Sequence, residues 1–232
     1  FHDPEFLIMA YFIKKLTNSK VIYDIHEDYS QAIKKKSWIP KKCRKVIASF
    51  FDLLEKNIAK NLDLNITVTD YIQKKFNDSK IIQVRNYPKL VNEKINHSAG
   101  KKYINCIYIG NITIDRGIYE LIEAMENLEY RKKIKLNILG KFNNHNFEKK
   151  IRNRFKEINI EYIGWVSKDE VTKYLSESDI GIVCLHQNGR YEKALPIKMF
   201  EYMSVGLPII ASNFKLWEDI VIKNCCGITV NP

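Results

Sequence analysis

LPIKMFEYMSVGLPIIAS, residues 195–212, is the stretch whose reading decides the fold of this chain. Met199, Met203 and Val205 supply the apolar face of a short helix, and Gly206 is a permissive place for that helix to stop. The run Leu207-Pro208-Ile209-Ile210-Ala211 then suits a parallel strand covered on both faces. Inside the helix Lys198 and Glu201 stand three residues apart, on neighbouring faces. An ammonium and a carboxylate near a helix start, below a strand edge, suit a phosphate and a sugar hydroxyl. The same spacing also describes an ordinary solvated charge pair.

Outward from that stretch the chain alternates in the same way. Strand-like runs at 21–25, 64–69, 81–84, 103–109, 135–139, 160–163, 180–185 and 227–230 are separated by helical segments at 46–59, 70–76, 118–127, 147–157 and 216–222. Asp3-Pro4-Glu5 resembles a helix start, Asp70 is the expected cap of the helix at 70–76, and Ser167 with Glu170 has capping-box spacing. Such alternation predicts the α/β class, with doubly wound parallel sheets. A length of 232 residues admits one large core or two modest ones. The polar stretch 89–102, which carries Gly100, reads as a linker between domains at 1–88 and 103–232. A start at Phe1 with no initiator Met, and an end just after a strand, read as a fragment cut at both ends, without a signal peptide.

Composition narrows the function classes. The five cysteines show no C-x-x-C spacing, Cys106 and Cys184 fall in strand patterns, and a reducing cytoplasm is the expected compartment. The five histidines are dispersed, so no metal site is expected. The longest apolar run, 6–13, is far short of the roughly 20 residues that span a bilayer. The net charge of +11 favours anionic partners. Lys34, Lys35, Lys36, Lys41, Lys42, Arg44 and Lys45 surround Trp38 and Pro40, just before a helix with Ile47, Phe50, Phe51, Leu54 and Ile58 at core spacing. A basic loop beside a core-packed helix is one reading; contact with an anionic membrane surface is the other. Nucleic acid is not an expected partner, because the aromatics fall at core periods and no recognition motif is present.

Several strand ends carry chemistry. Gly110-Asn111 follows a strand, and Arg116-Gly117 opens the next helix. A glycine there lets a phosphate approach the backbone, the helix start favours negative charge, and Arg116 adds bidentate donors. His26 follows the strand at 21–25, Gly164-Trp165-Val166 follows another, and His186, Asn188 and Arg190 follow a third, placing them at carboxyl ends where open parallel sheets bind ligands. Each is equally compatible with a cap, a surface charge or an exposed loop.

The pattern P-x-K-x-x-E-Y-M-x-x-G-x-P-I-I-A-S resembles the donor-site signature of family 4 (group 1) glycosyltransferases. That resemblance implies a GT-B fold of two Rossmann-like domains, the N-terminal one incomplete here. Glu201 matches the glutamate that binds the ribose of the nucleotide, whereas Lys193 stands where a first glutamate is usual. Residues 110–117 resemble the family's G-R-L-x-x-x-K-G turn, with Arg116 at the lysine and Asn111 at the arginine. The 2–5 and 23–28 segments resemble the later half of its N-terminal domain, where His26 matches a cleft histidine, and 164–166 resembles the loop that holds the base through backbone groups. The implied activity is retaining, metal-independent transfer from a nucleotide-diphosphate sugar, with no cofactor, to an acceptor hydroxyl. His26 would be catalytic and Gly110, Asn111, Arg116, Lys198, Glu201 and Arg190 would bind donor. A saccharide or lipid-linked acceptor in surface polysaccharide or glycolipid assembly, at the inner face of the plasma membrane, would follow. A GT-B sugar-nucleotide epimerase, or a binding protein that has lost catalysis at Lys193 and Asn111, are the alternatives.

Overall fold

All strand pairing in the two sheets is parallel. The computed structural model describes residues 1–34, 36, 38–76, 79–90, 102–189 and 191–232, and the chain divides into units Phe1–Asn86 and Tyr87–Pro232. The expected linker lies largely at 91–101, outside the described residues. Tyr87 already belongs to the second unit, where its ring packs edge-on against Phe200 at 4.7 Å.

The first unit runs α1 (Leu7–Leu16), β1 (Ile22–Ile25), α2 (Tyr29–Ile33), α3 (Lys41–Lys60), β2 (Leu64–Thr67), α4 (Asp70–Lys75) and β3 (Ile81–Gln83). Its sheet has the order β1-β2-β3, and Leu7, Ala10, Tyr23, Ile25, Ile58, Ala59, Ile72 and Phe76 form its core. Three sequence expectations are corrected here. The side-chain cap of α4 is Thr69, which accepts from Ile72 N, because its backbone is extended while Asp70 is already helical. The helix expected from 46 begins at Lys41, directly after Pro40, so Lys41 to Lys45 are helical and not a loop. Ile47 and Phe50 are exposed, not core. The buried side of α3 is built from Ala48, which packs with Ile33 and Ile39, and from Glu55, Ile58 and Ala59, and a count of large apolar residues passes over the small and polar members of that face.

Glu55 is tolerated there because it is paired. Lys75 Nζ lies 2.9 Å from Asp28, 2.8 Å from Asp52 and 3.1 Å from Glu55, and Tyr23 donates its hydroxyl hydrogen to Glu55 at 2.9 Å. Asp28 also accepts from Tyr71 and caps α2 through Gln31 N, so the cluster ties the segment after β1 to α3 and α4.

The second unit runs β4 (Ile104–Ile109), α5 (Ile118–Glu126), β5 (Ile134–Leu139), α6 (His145–Arg154), β6 (Ile160–Gly164), α7 (Lys168–Glu177), β7 (Ile180–Val183), α8 (Ile197–Ser204), β8 (Ile209–Ser212), α9 (Lys215–Val221) and β9 (Gly227–Val230). The expected capping box of α7 is present, and Gly206 ends α8 with φ 75°. The sheet order is β6-β5-β4-β7-β8-β9. The chain therefore starts in the middle, winds outward to one edge and returns to wind outward to the other. One core cluster contains Ile118, Ile122, Phe147 and Ile151, and the other contains Leu175, Met199, Tyr202, Trp217 and Val221. The reversal lies between β4 and β7, and the carboxyl ends of those strands frame the crevice of such a sheet. Among the described residues no helix is long and apolar enough to cross a membrane.

Candidate functional site

The β4–β7 ladder stops at Tyr108 opposite Ile182, so the next amide needs another partner. Tyr202, from α8, supplies it: its hydroxyl accepts from Ile109 N at 3.1 Å and lies 3.4 Å from Ile182 O and 3.5 Å from Ile107 O. The ring reaches that place because residue 181 is glycine; a Cβ there would sit 2.4 Å from the Tyr202 ring. One side chain thus bridges the strand ends at the switch point, with Gly110 immediately beyond it.

Lys198 is the second residue of α8, and its Nζ ends at Gly110, where an added Cβ would lie 2.4 Å from it. That Nζ is fully buried and has no hydrogen-bond partner among the described residues. It sits 4.7 Å over the centre of the Tyr108 ring. Burial, and then the neighbouring Arg116 charge, push its pKa down to about 7, against the weaker pull of Glu201 and Cys184. Arg116 lies beside the hydroxyls of Tyr108 and Tyr191. Lys198 and Arg116 therefore meet at Gly110, and among the described residues no carboxylate is bonded to Lys198.

The loop on the far side is stitched down. Burial disfavours the Asp115 charge, but hydrogen bonds from Thr113 and from Tyr191, the latter at 2.5 Å, outweigh it and hold the carboxyl below its ordinary value. The Asp115 carbonyl accepts from His186 N at 3.0 Å, and His186 Nε2 lies 3.1 Å from Glu120. Ser212 Oγ bonds both N and O of Leu185 at 2.9 Å, and Trp217 Nε1 donates to Ala194 O at 2.7 Å. The segment from β7 to α8 is anchored at both ends, which positions the start of α8 and with it Lys198.

Glu201 lies one turn after Lys198 and is half-buried. The two do not pair: the Glu201 carboxylate makes no close ion pair or hydrogen bond among the described residues. Burial raises its pKa, offset in part by Lys168 and Lys198. The reading of Lys198 and Glu201 as a solvated surface pair is thereby overturned, because the helix points the ammonium into the sheet's crevice. The structure brings together Gly110, Arg116 and Lys198, with Glu201 adjacent. Asn111 is exposed, and its carbonyl accepts from Tyr108 at 3.1 Å. Gly164 ends edge strand β6 and Trp165 and Val166 follow it; Trp165 is exposed and Val166 packs on the core. Lys193 is exposed, and Arg190 lies outside the described residues. His26 belongs to the first unit, with Nε2 3.2 Å from Asp24 and its ring edge-on to His2 at 6.1 Å. Among the described residues no group of His, Cys, Asp or Glu is placed to hold a metal.

Sequence reasoning missed Tyr108, Asp115, Tyr191 and Tyr202 at this corner. Tyr202 stood within the recognised E-Y-M signature, and a polar aromatic opposite a strand glycine was the available signal.

Comparison with known proteins bears on the family and the fold. Residues 91–232 match the family described as glycosyl transferases group 1. The whole chain superposes on sucrose-phosphate synthase from Thermosynechococcus elongatus with a TM-score of 0.71 at 15% identity, spanning 59% of that protein. It superposes over 99% of its length on Anabaena HepE in complex with UDP, at 12% identity and a TM-score of 0.71, spanning 63% of it. Over 96% it superposes on WaaG, a glycosyltransferase involved in lipopolysaccharide biosynthesis, at 13% identity and a TM-score of 0.67, spanning 67% of it. None of the curated proteins matches the sequence. The chain thus spans about 60% of the length of the first two of these relatives; at these identities the likeness concerns the fold. With residues 91–232 matched and the parallel sheets described above, this chain belongs to the group 1 glycosyltransferases and has the GT-B fold.

Proposed function

We propose that this chain holds the diphosphate of a nucleotide-sugar donor and, within its protein, moves the sugar to an acceptor hydroxyl, with retention and without a metal. The observation that carries the reading is the buried, unpartnered ammonium of Lys198 at Gly110, beside Arg116. A buried cation without an acceptor is costly, and an arriving diphosphate would relieve that cost with charge-assisted hydrogen bonds. As the bond from the sugar to the diphosphate breaks, negative charge gathers on the departing oxygens, beside Arg116 and a Lys198 whose charge the bound diphosphate restores. Glu201 accepts from the ribose hydroxyls, Asn111 and Arg190 line the donor side, the backbone of Gly164, Trp165 and Val166 holds the base, and His26 serves the sugar or acceptor side.

HepE is known with UDP bound, which supports a nucleoside diphosphate at this site. A saccharide or lipid-linked acceptor in surface polysaccharide or glycolipid assembly, met at an anionic membrane surface on the cytoplasmic side, fits the basic charge of the chain. Calorimetric titration with UDP- and GDP-sugars tests the site. Arg116→Ala and Glu201→Ala are each expected to weaken binding at least tenfold, through lost charge-assisted bonds. Wild-type affinity in both variants would refute the assignment.

A further inference from the structure

Helix α3 is apolar on the side that faces away from its own core. Ala48, Glu55, Ile58 and Ala59 form the inward side and are buried. Val46, Phe50 and Leu53, at i, i+4 and i+7, line the opposite side and are 70%, 68% and 61% exposed. A helix lying on the outside of a sheet ordinarily presents polar residues there. Just before the helix Trp38 is 74% exposed, with the Lys36 ammonium 5.4 Å from its ring centre.

The charge before the helix and along its first half has one sign. Residues 34–51 contain the basic cluster described above and no Asp or Glu. Lys41 and Lys42 occupy the first turn of α3, which has no acidic residue and no side-chain cap. The macrodipole already makes that end positive, so the lysines and the dipole repel each other until an anion arrives. Lys41, Lys42 and Lys45 have no acidic partner among the described residues. The occupant that suits such a face is apolar within and anionic at its rim.

We propose that the outer face of α3, with Trp38, docks on an anionic lipid bilayer. Val46, Phe50, Leu53 and Trp38 enter the boundary between headgroups and acyl chains, while Lys41, Lys42 and Lys45 meet the lipid phosphates. A second copy of the chain fits less well, because a two-fold contact through this patch would set its lysines against themselves. This names the surface for the membrane contact in the proposed function, yet it is independent of the donor corner in the other unit. Nucleotide-sugar titration therefore fails or succeeds separately.

The test is co-sedimentation with vesicles of phosphatidylcholine alone and of phosphatidylcholine with phosphatidylglycerol. The protein is expected to bind the mixed vesicles, to release as salt rises, and to leave phosphatidylcholine vesicles unbound. Lys41→Gln/Lys42→Gln/Lys45→Gln and Trp38→Ala/Phe50→Ala are each expected to lower the partition coefficient by about tenfold or more. Both change exposed residues, and circular dichroism and donor affinity should stay at the wild-type value. Equal binding to both vesicle types, binding indifferent to both variants, or an apolar variant that alters only self-association in sedimentation equilibrium would overturn the proposal.

Discussion

Lys75 and Lys198 are both buried lysines, one in each unit, and they are treated in opposite ways. Lys75 is surrounded by Asp28, Asp52 and Glu55; burial works against its charge, but these carboxylates outweigh burial and hold its pKa above the ordinary value. Lys198 has no bonded partner among the described residues and has Arg116 beside it, and burial with Arg116 brings it down to about 7. The first lysine completes a network that joins three segments of the fold. The second has no such network among the described residues, and an anion is the partner its charge would take. A buried cation satisfied from within reports on stability, whereas one left unsatisfied at a sheet's switch point reports on a ligand.

The sharpest way to break this contrast is to remove each charge in turn. Lys75→Met takes the cation from the buried Glu55 and from Asp28, while Asp52 keeps Lys56, and is expected to cost about 3–5 kcal/mol in urea unfolding. Lys198→Met is expected to leave stability unchanged or raise it by about 1 kcal/mol, because an unsatisfied buried group disappears. Similar losses in both variants would show that Lys198 is structural.

The pH dependence sharpens the contrast further. The folded pKa of Lys198 is depressed, so the unfolded chain binds the extra proton between about pH 7 and the ordinary lysine range near 10.4. Its burden on the ligand-free protein is complete below about 7 and fades as pH rises through that window. A bound diphosphate restores the charge, so donor binding takes up a proton above pH 7. Affinity should fall by up to about tenfold per pH unit there, read by calorimetry in buffers of different ionisation enthalpy. Lys198→Arg, always charged, should remove the slope. A slope retained in that variant would place the proton elsewhere.

The smallest expected effect concerns the support beneath the site. Tyr202→Phe keeps the ring in the space left by Gly181 but strips the hydroxyl from Ile109 N, leaving a part-buried amide without its partner. A loss of about 1–3 kcal/mol in stability is expected, with a weaker drop in donor affinity than at Arg116. No change in unfolding would mean that water replaces the hydroxyl.

Much of the fold was legible. The glycine stop at 206, the buried strand after it and the capping box at Ser167 were read correctly because each depends on residues within a turn of one another. The errors have the same root. Phe50 and Ile47 have the size and spacing of core residues, yet they are exposed and Ala48 and Glu55 are buried. The site was legible in its charged members, since Arg116, Lys198 and Glu201 stand in recognisable patterns. Its tyrosines were not, because Tyr108, Tyr191 and Tyr202 meet only when three distant segments converge.

What the sequence by itself determined was local and repetitive: which segments are strands or helices, that the sheets are parallel, and which strand ends carry glycine and cations. Hydrophobic period and turn chemistry act over a few residues, so they can be read along the chain. Only the tertiary structure decided that Lys198 is buried without a partner, that it does not pair with Glu201, and that α3 is apolar on its outer face. Burial, pKa and pairing depend on which side of each helix meets the sheet, and no one-dimensional spacing specifies that.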